Sequence, residues 1–125
     1  METLLSYPDR RFRLWAYVPT HSNLLIRSGK ETSGTTRIDI AFNGVSVVNL
    51  PVLMEGLTIE RPDPGSAQTM DVVGGLDEFS ARRLLVVRGV GYEGHIVALK
   101  FETDESDKRF PERDKWGIAS PDGWL

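Results

Sequence analysis

Gly89-Val90-Gly91-Tyr92-Glu93-Gly94 spells out G-x-G-x-x-G. In a dinucleotide-binding fold such glycines let the backbone approach a pyrophosphate at the N-terminus of a helix. The context here argues against that use. The next segment, His95 to Thr103, alternates apolar and polar residues like a strand. Asp114 stands where a ribose-binding acid would be sought, but only Phe110-Pro111-Glu112-Arg113 precedes it, with no second strand. A glycine hairpin loop is the reading that remains.

The histidines are His21 and His95, and neither has a general-base partner or metal-ligand companion at motif spacing. His21 lies in a turn-like Pro19-Thr20-His21-Ser22-Asn23, where Ser22 is too close in the chain for an easy Ser–His pair. His95 opens a strand on its apolar face. The run Glu102-Thr103-Asp104-Glu105-Ser106-Asp107 has oxygen ligands but no glycine at the turn position of a calcium loop. Arg11, Arg13, Trp15 and Tyr17 fall on one face of an alternating strand. Such a stripe suits single-stranded nucleic acid, or equally an outer face with arginine stems over rings. Cysteine is absent, so thiol nucleophiles, thiolate metal sites and disulfides are excluded. No catalytic residue, metal site or cofactor is assigned from these patterns.

The elements that would carry these residues are short strands. Phe12, Leu14, Ala16 and Val18 alternate toward one side, up to Pro19. Leu24 to Arg27 is a second run. Thr36 to Phe42 and Val45 to Leu50 flank Asn43-Gly44, which predicts a type I′ hairpin pairing Phe42 with Val45 and Ile40 with Val47. In that arrangement Arg27 and Asp39 lie on adjacent strands and can pair. Further strands are expected at Leu57 to Glu60, Arg83 to Arg88 and His95 to Thr103, with a turn or two of helix between Leu76 and Arg82. Residues 63–81 are the least regular stretch. The tail from Asp104 to Leu125 has no period, yet it holds Trp116 and Trp124, more aromatic than a disordered tail. It is expected to fold back and pin indoles on the sheet. With about seven short strands and at most a short helix, the pattern predicts a small antiparallel β-sandwich or partly open barrel.

The chain has 125 residues, 40% of them hydrophobic and 26% charged, which suits one domain over residues 1–125. A net charge of −3 disfavours broad nucleic-acid binding. No stretch approaches the ~18 apolar residues of a membrane helix, and residues 1–13 lack the apolar core of a secretory signal. A cytoplasmic location is the expectation.

His21-Ser22-Asn23-Leu24-Leu25-Ile26-Arg27-Ser28, Arg37-Ile38-Asp39-Ile40-Ala41-Phe42-Asn43-Gly44-Val45, Leu50-Pro51 and Gly56-Leu57-Thr58-Ile59 together resemble a segment shared by a group of small uncharacterised bacterial proteins. The likeness spans residues 11–60. It implies a free-standing bacterial protein and carries over no activity and no catalytic residue.

These residues support two functional expectations. The first is a non-enzymatic protein-interaction module, in a specific form one that neutralises a partner as immunity proteins do. Its anchors would be the tryptophans, Trp116 and Trp124 among them. The second is a small-molecule binder or enzyme at the mouth of the barrel, needing at least three of His21, Arg27, Asp39 and His95 to converge. A closed homo-oligomer stays open beside both.

Overall fold

Runs rich in valine, isoleucine, leucine and phenylalanine pair here as strands, because branched side chains pack well on a pleated surface. The computed structural model describes residues 1–29, 36–63, 82–109 and 112–118. Among them are eight strands and no helix: β1 Glu2–Val18, β2 Asn23–Ser28, β3 Arg37–Asn43, β4 Val47–Asn49, β5 Leu53–Arg61, β6 Leu84–Gly89, β7 Tyr92–Val97 and β8 Lys100–Ser106. All pair antiparallel in one sheet that does not close, in the order β4-β7-β6-β5-β1-β2-β3-β8. The mainly-β expectation holds. None of the described residues forms a helix long and apolar enough to cross a membrane.

β1 is the corner of the molecule. Its first part pairs with β5, its last part with β2, and Arg13 faces both Leu53 and Arg27. The sheet turns there, so both halves bury one face against each other. Phe12, Ile26, Ile40, Phe42, Met54, Ile59, Val87 and Ile96 share this core, each 1% exposed or less. Fully burying such a side chain contributes about 1.5–3 kcal/mol. Connecting loops tie the halves: Val45 N donates to Ser22 O, Ser46 N to Val97 O and Leu99 N to Asn43 O, each at 2.9 Å. At the other end Arg10 reaches from β1 to the Thr36 carbonyl at 3.1 Å and to its hydroxyl at 2.6 Å.

β1 has three register shifts; besides one between Thr3 and Leu5, two bulges shape its course. Between Tyr7 and Arg11 its register against β5 slips opposite Gly56, whose φ is +72°. A Cβ at Gly56 would stand 2.9 Å from the Pro8 carbonyl oxygen, so only glycine fits. The second bulge falls between Leu14 and Ala16. It corrects the simple alternation expected of this strand. Phe12 and Leu14 face the main core, whereas Ala16 and Val18 pack in a second cluster with Leu25, Ala41 and Ile118. An inserted residue reverses the pleat, and Tyr17, opposite Leu24, no longer shares a face with Arg13.

Two further expectations are corrected. Asn43-Gly44 does not close a hairpin. β3 pairs with β2 and β8, and β4 pairs with β7. A type I′ turn needs positive φ at both central residues, and only Gly44 has it, at +64°. The chain instead crosses from one half to the other, and Val48, 38% exposed, comes to lie opposite the core residue Ile96. His95 to Thr103 is not one strand either. It breaks at Ala98-Leu99 into β7 and β8, which lie near opposite ends of the sheet order. The G-x-G-x-x-G segment is the expected hairpin, β6 and β7 pairing from Gly89↔Tyr92 to Leu84↔Val97. Leu76 to Ala81, where helical turns were expected, lie outside the described residues.

Candidate functional site

β2 and β3 each send alternate residues inward to the core and outward to the second face. Outward-facing Arg27 therefore stands directly opposite Asp39. The pair is bidentate: Arg27 Nε donates to Asp39 Oδ1 at 2.7 Å and Nη2 to Oδ2 at 3.3 Å. Arg37, two residues earlier on the same face, donates from Nη2 to Asp39 Oδ2 at 2.9 Å. All three residues have 0% exposure. The indole of Trp15, the extra residue of the bulge between Leu14 and Ala16, lies 5.2 Å from the Arg27 guanidinium carbon.

Among the described residues, the buried charges here are two arginines and two aspartates, Asp39 and Asp114. Backbone carbonyls take further donors of Arg37. Arg37 Nη1 donates to the carbonyls of Arg109 and Glu112, both at 2.7 Å, and Nη2 to that of Arg113 at 3.1 Å. One guanidinium thus fastens Arg109, Glu112 and Arg113 to the sheet. The next residues lie over the same face. Asp114 Oδ2 accepts from the amides of Trp116 at 3.1 Å and Ile118 at 2.9 Å, which shapes a turn. Ile118 is buried with Leu25 and Ala41, and Trp116 packs beside them, its Nε1 donating to Glu102 Oε2 at 2.9 Å. The cluster has the geometry of a structural clamp. Its hydrogen bonds join the three side chains to one another and to backbone carbonyls, while Arg37 Nε is buried without a hydrogen-bond partner.

The other expected site residues lie apart. His21 is exposed in the turn between β1 and β2. His95 sits on β7, facing Val86 and Asn49, 8% exposed, and burial pushes its pKa below the usual histidine value. Of the four polar candidates for a pocket, only Arg27 and Asp39 come together. Trp124 lies outside the described residues. No group of three or more histidine or acidic residues among the described residues is placed to hold a metal. Arg37 was missed by sequence reasoning. The available signal was its place two residues before Asp39, on the same strand face.

A second feature is exposed rather than buried. At the start of β5, Val52 is 64% and Leu53 65% exposed. Leu53 stands opposite Arg13, and Glu55 stands opposite Arg11 and forms an ion pair with it. Val90, 76% exposed, donates its amide to the Glu55 carbonyl at 2.8 Å. Leu53 and Arg13 therefore share one face of paired strands, with Val52 just before β5 and Val90 in the turn between β6 and β7. No family model, curated protein or solved structure matches the chain.

Proposed function

We propose that the chain is a non-enzymatic protein-interaction module of the bacterial cytoplasm, of the kind that neutralises a partner as an immunity protein does. The observation that supports it is the exposed Val52-Leu53 pair at the entry to β5, with Leu53 held on the strand opposite Arg13 and Arg11 nearby. Apolar side chains with arginine nearby are the composition that interface centres favour, and a rigid backbone loses little entropy on docking. The absence of cysteine suits a reducing compartment.

The test is affinity capture from the source organism's lysate with wild type and Leu53→Asp side by side, followed by titration of the captured partner. Leu53 is mostly exposed, so the variant should keep its stability within ~0.5 kcal/mol. A central contact contributes at least ~2 kcal/mol, so binding should weaken about thirtyfold or more. A stoichiometric partner lost with Leu53→Asp supports the reading. No partner, or one indifferent to Leu53, refutes it.

A further inference from the structure

An antiparallel sheet that does not close leaves two edges, each a row of backbone N–H and C=O groups open to another strand. The two edges differ here. β4 is three residues long and is followed by Leu50-Pro51, which stops pairing. β8 is seven residues long and, among the described residues, has β3 as its only strand neighbour. Phe101 ends the core on this side. Its ring lies 5.6 Å from that of Phe42, and it is only half-buried, with no strand beyond it among the described residues.

Charge then selects what can be added. Between Lys100 and Asp107 stand four acids and one lysine, against a net charge of −3 for the whole chain. Glu102 and Asp104 are on the outer face, register partners of Ala41 and Asp39. Glu102 is held by the Trp116 indole at 2.9 Å, and Glu105, on the inner face, by the Thr36 hydroxyl at 2.7 Å. These carboxylates are placed before any partner arrives. A second copy is a poor occupant. Antiparallel self-pairing centred on Thr103 would set Glu102 against Asp104, and like charges directly opposite repel.

We propose that the β8 edge docks an extended lysine- or arginine-bearing segment of a partner protein, added antiparallel as the next strand. It rests on the interaction-module reading and names the chemistry of the partner. Residues opposite Asp104 and Glu102 are basic. The residue opposite Phe101 is apolar and continues the core face beyond it. Main-chain hydrogen bonds supply affinity and alternate side chains supply selectivity.

The test uses the full chain and three blocked nonapeptides: lysine alternating with valine, glutamate alternating with valine, and lysine alternating with proline. The third keeps the charge, but its prolines remove every second backbone N–H and disfavour a paired strand. Binding is followed by amide NMR shifts and exchange. The lysine–valine peptide is expected to shift residues 100–106 and slow exchange along β8, with the other two at least about tenfold weaker. Asp104→Lys should weaken the lysine–valine peptide about tenfold, an ion pair having become a like-charge pair. Equal binding of the lysine–valine and lysine–proline peptides, shifts confined to other strands, or no binding at millimolar peptide would overturn the proposal. Concentration-dependent shifts in β8 without peptide would overturn it in favour of a second copy. Neither result bears on Leu53, so loss of this site and loss of the module reading are separable.

Discussion

Replacing Asp39 by asparagine tests the buried cluster with almost no change of shape. In the native protein both carboxylate oxygens are engaged, Oδ1 by Arg27 at 2.7 Å and Oδ2 by Arg37 at 2.9 Å and Arg27 at 3.3 Å. An amide offers one acceptor and one donor. In either orientation its NH2 faces a guanidinium N–H, and two guanidinium groups at 0% exposure lose the carboxylate they share. Removing one partner of a buried ionic group costs about 3–5 kcal/mol, a large share of the 5–15 kcal/mol that holds a typical domain folded. The assay is urea unfolding followed by tryptophan fluorescence. The midpoint should fall at unchanged m, with a drop of about 10–20 °C in Tm. The loss should persist in 1 M salt, since a buried group is poorly screened. Arg27→Met/Asp39→Asn restores the wild-type net buried charge and should recover part of the loss, a coupling of about 0.5–3 kcal/mol. A cost for Asp39→Asn below about 1 kcal/mol, or one abolished by salt, would refute the reasoning.

The same geometry fixes three more outcomes. His95 is buried with a lowered pKa, so the native state favours the neutral ring while the unfolded chain takes up a proton near pH 6.5. Stability from this group is therefore complete above about pH 6.5 and declines below it; His95→Gln should flatten that part of the unfolding-versus-pH curve. Tyr92 donates its hydroxyl to the Gly56 carbonyl at 2.7 Å, and burial pushes its pKa up to about 12. Its contribution should be whole below pH ~10 and lost as pH rises toward 12, and Tyr92→Phe should cost about 1 kcal/mol at neutral pH, read by urea midpoints. Gly56→Ala should destabilise by more than ~1 kcal/mol, because φ is +72° and the added carbon meets the Pro8 carbonyl; an unchanged Tm would contradict the bulge.

Local pattern carried the strand class a long way. Ile38, Ile40 and Phe42 alternate, and they do face the core; Val86-Val87 and Gly89 to Gly94 read as strand and hairpin, and they are. These signals are local because each depends on period two or on a turn only a few residues long. Local pattern failed where two distant parts of the chain decide together. Asn43-Gly44 looks like a hairpin because its neighbours alternate. Yet β3 finds better partners in β2 and β8, and Ser46 finds the Val97 carbonyl. Ala98-Leu99 carries no breaker residue, and only the need to pass from β7 to β8 interrupts the strand there.

The candidate site divides in the same way. That the chain is built of β-strands, and that Arg27 and Asp39 fall on neighbouring strands, was determined by the sequence, because residue type and spacing set the face on which each side chain lies; the 17-residue length of β1 was not. Burial of that pair, the addition of Arg37, and the three carbonyls from residues 109–113 were decided only by the tertiary structure. A backbone carbonyl has no identity in the sequence. Any residue can supply one, so what satisfies a buried charge is visible only when the chain has folded over it.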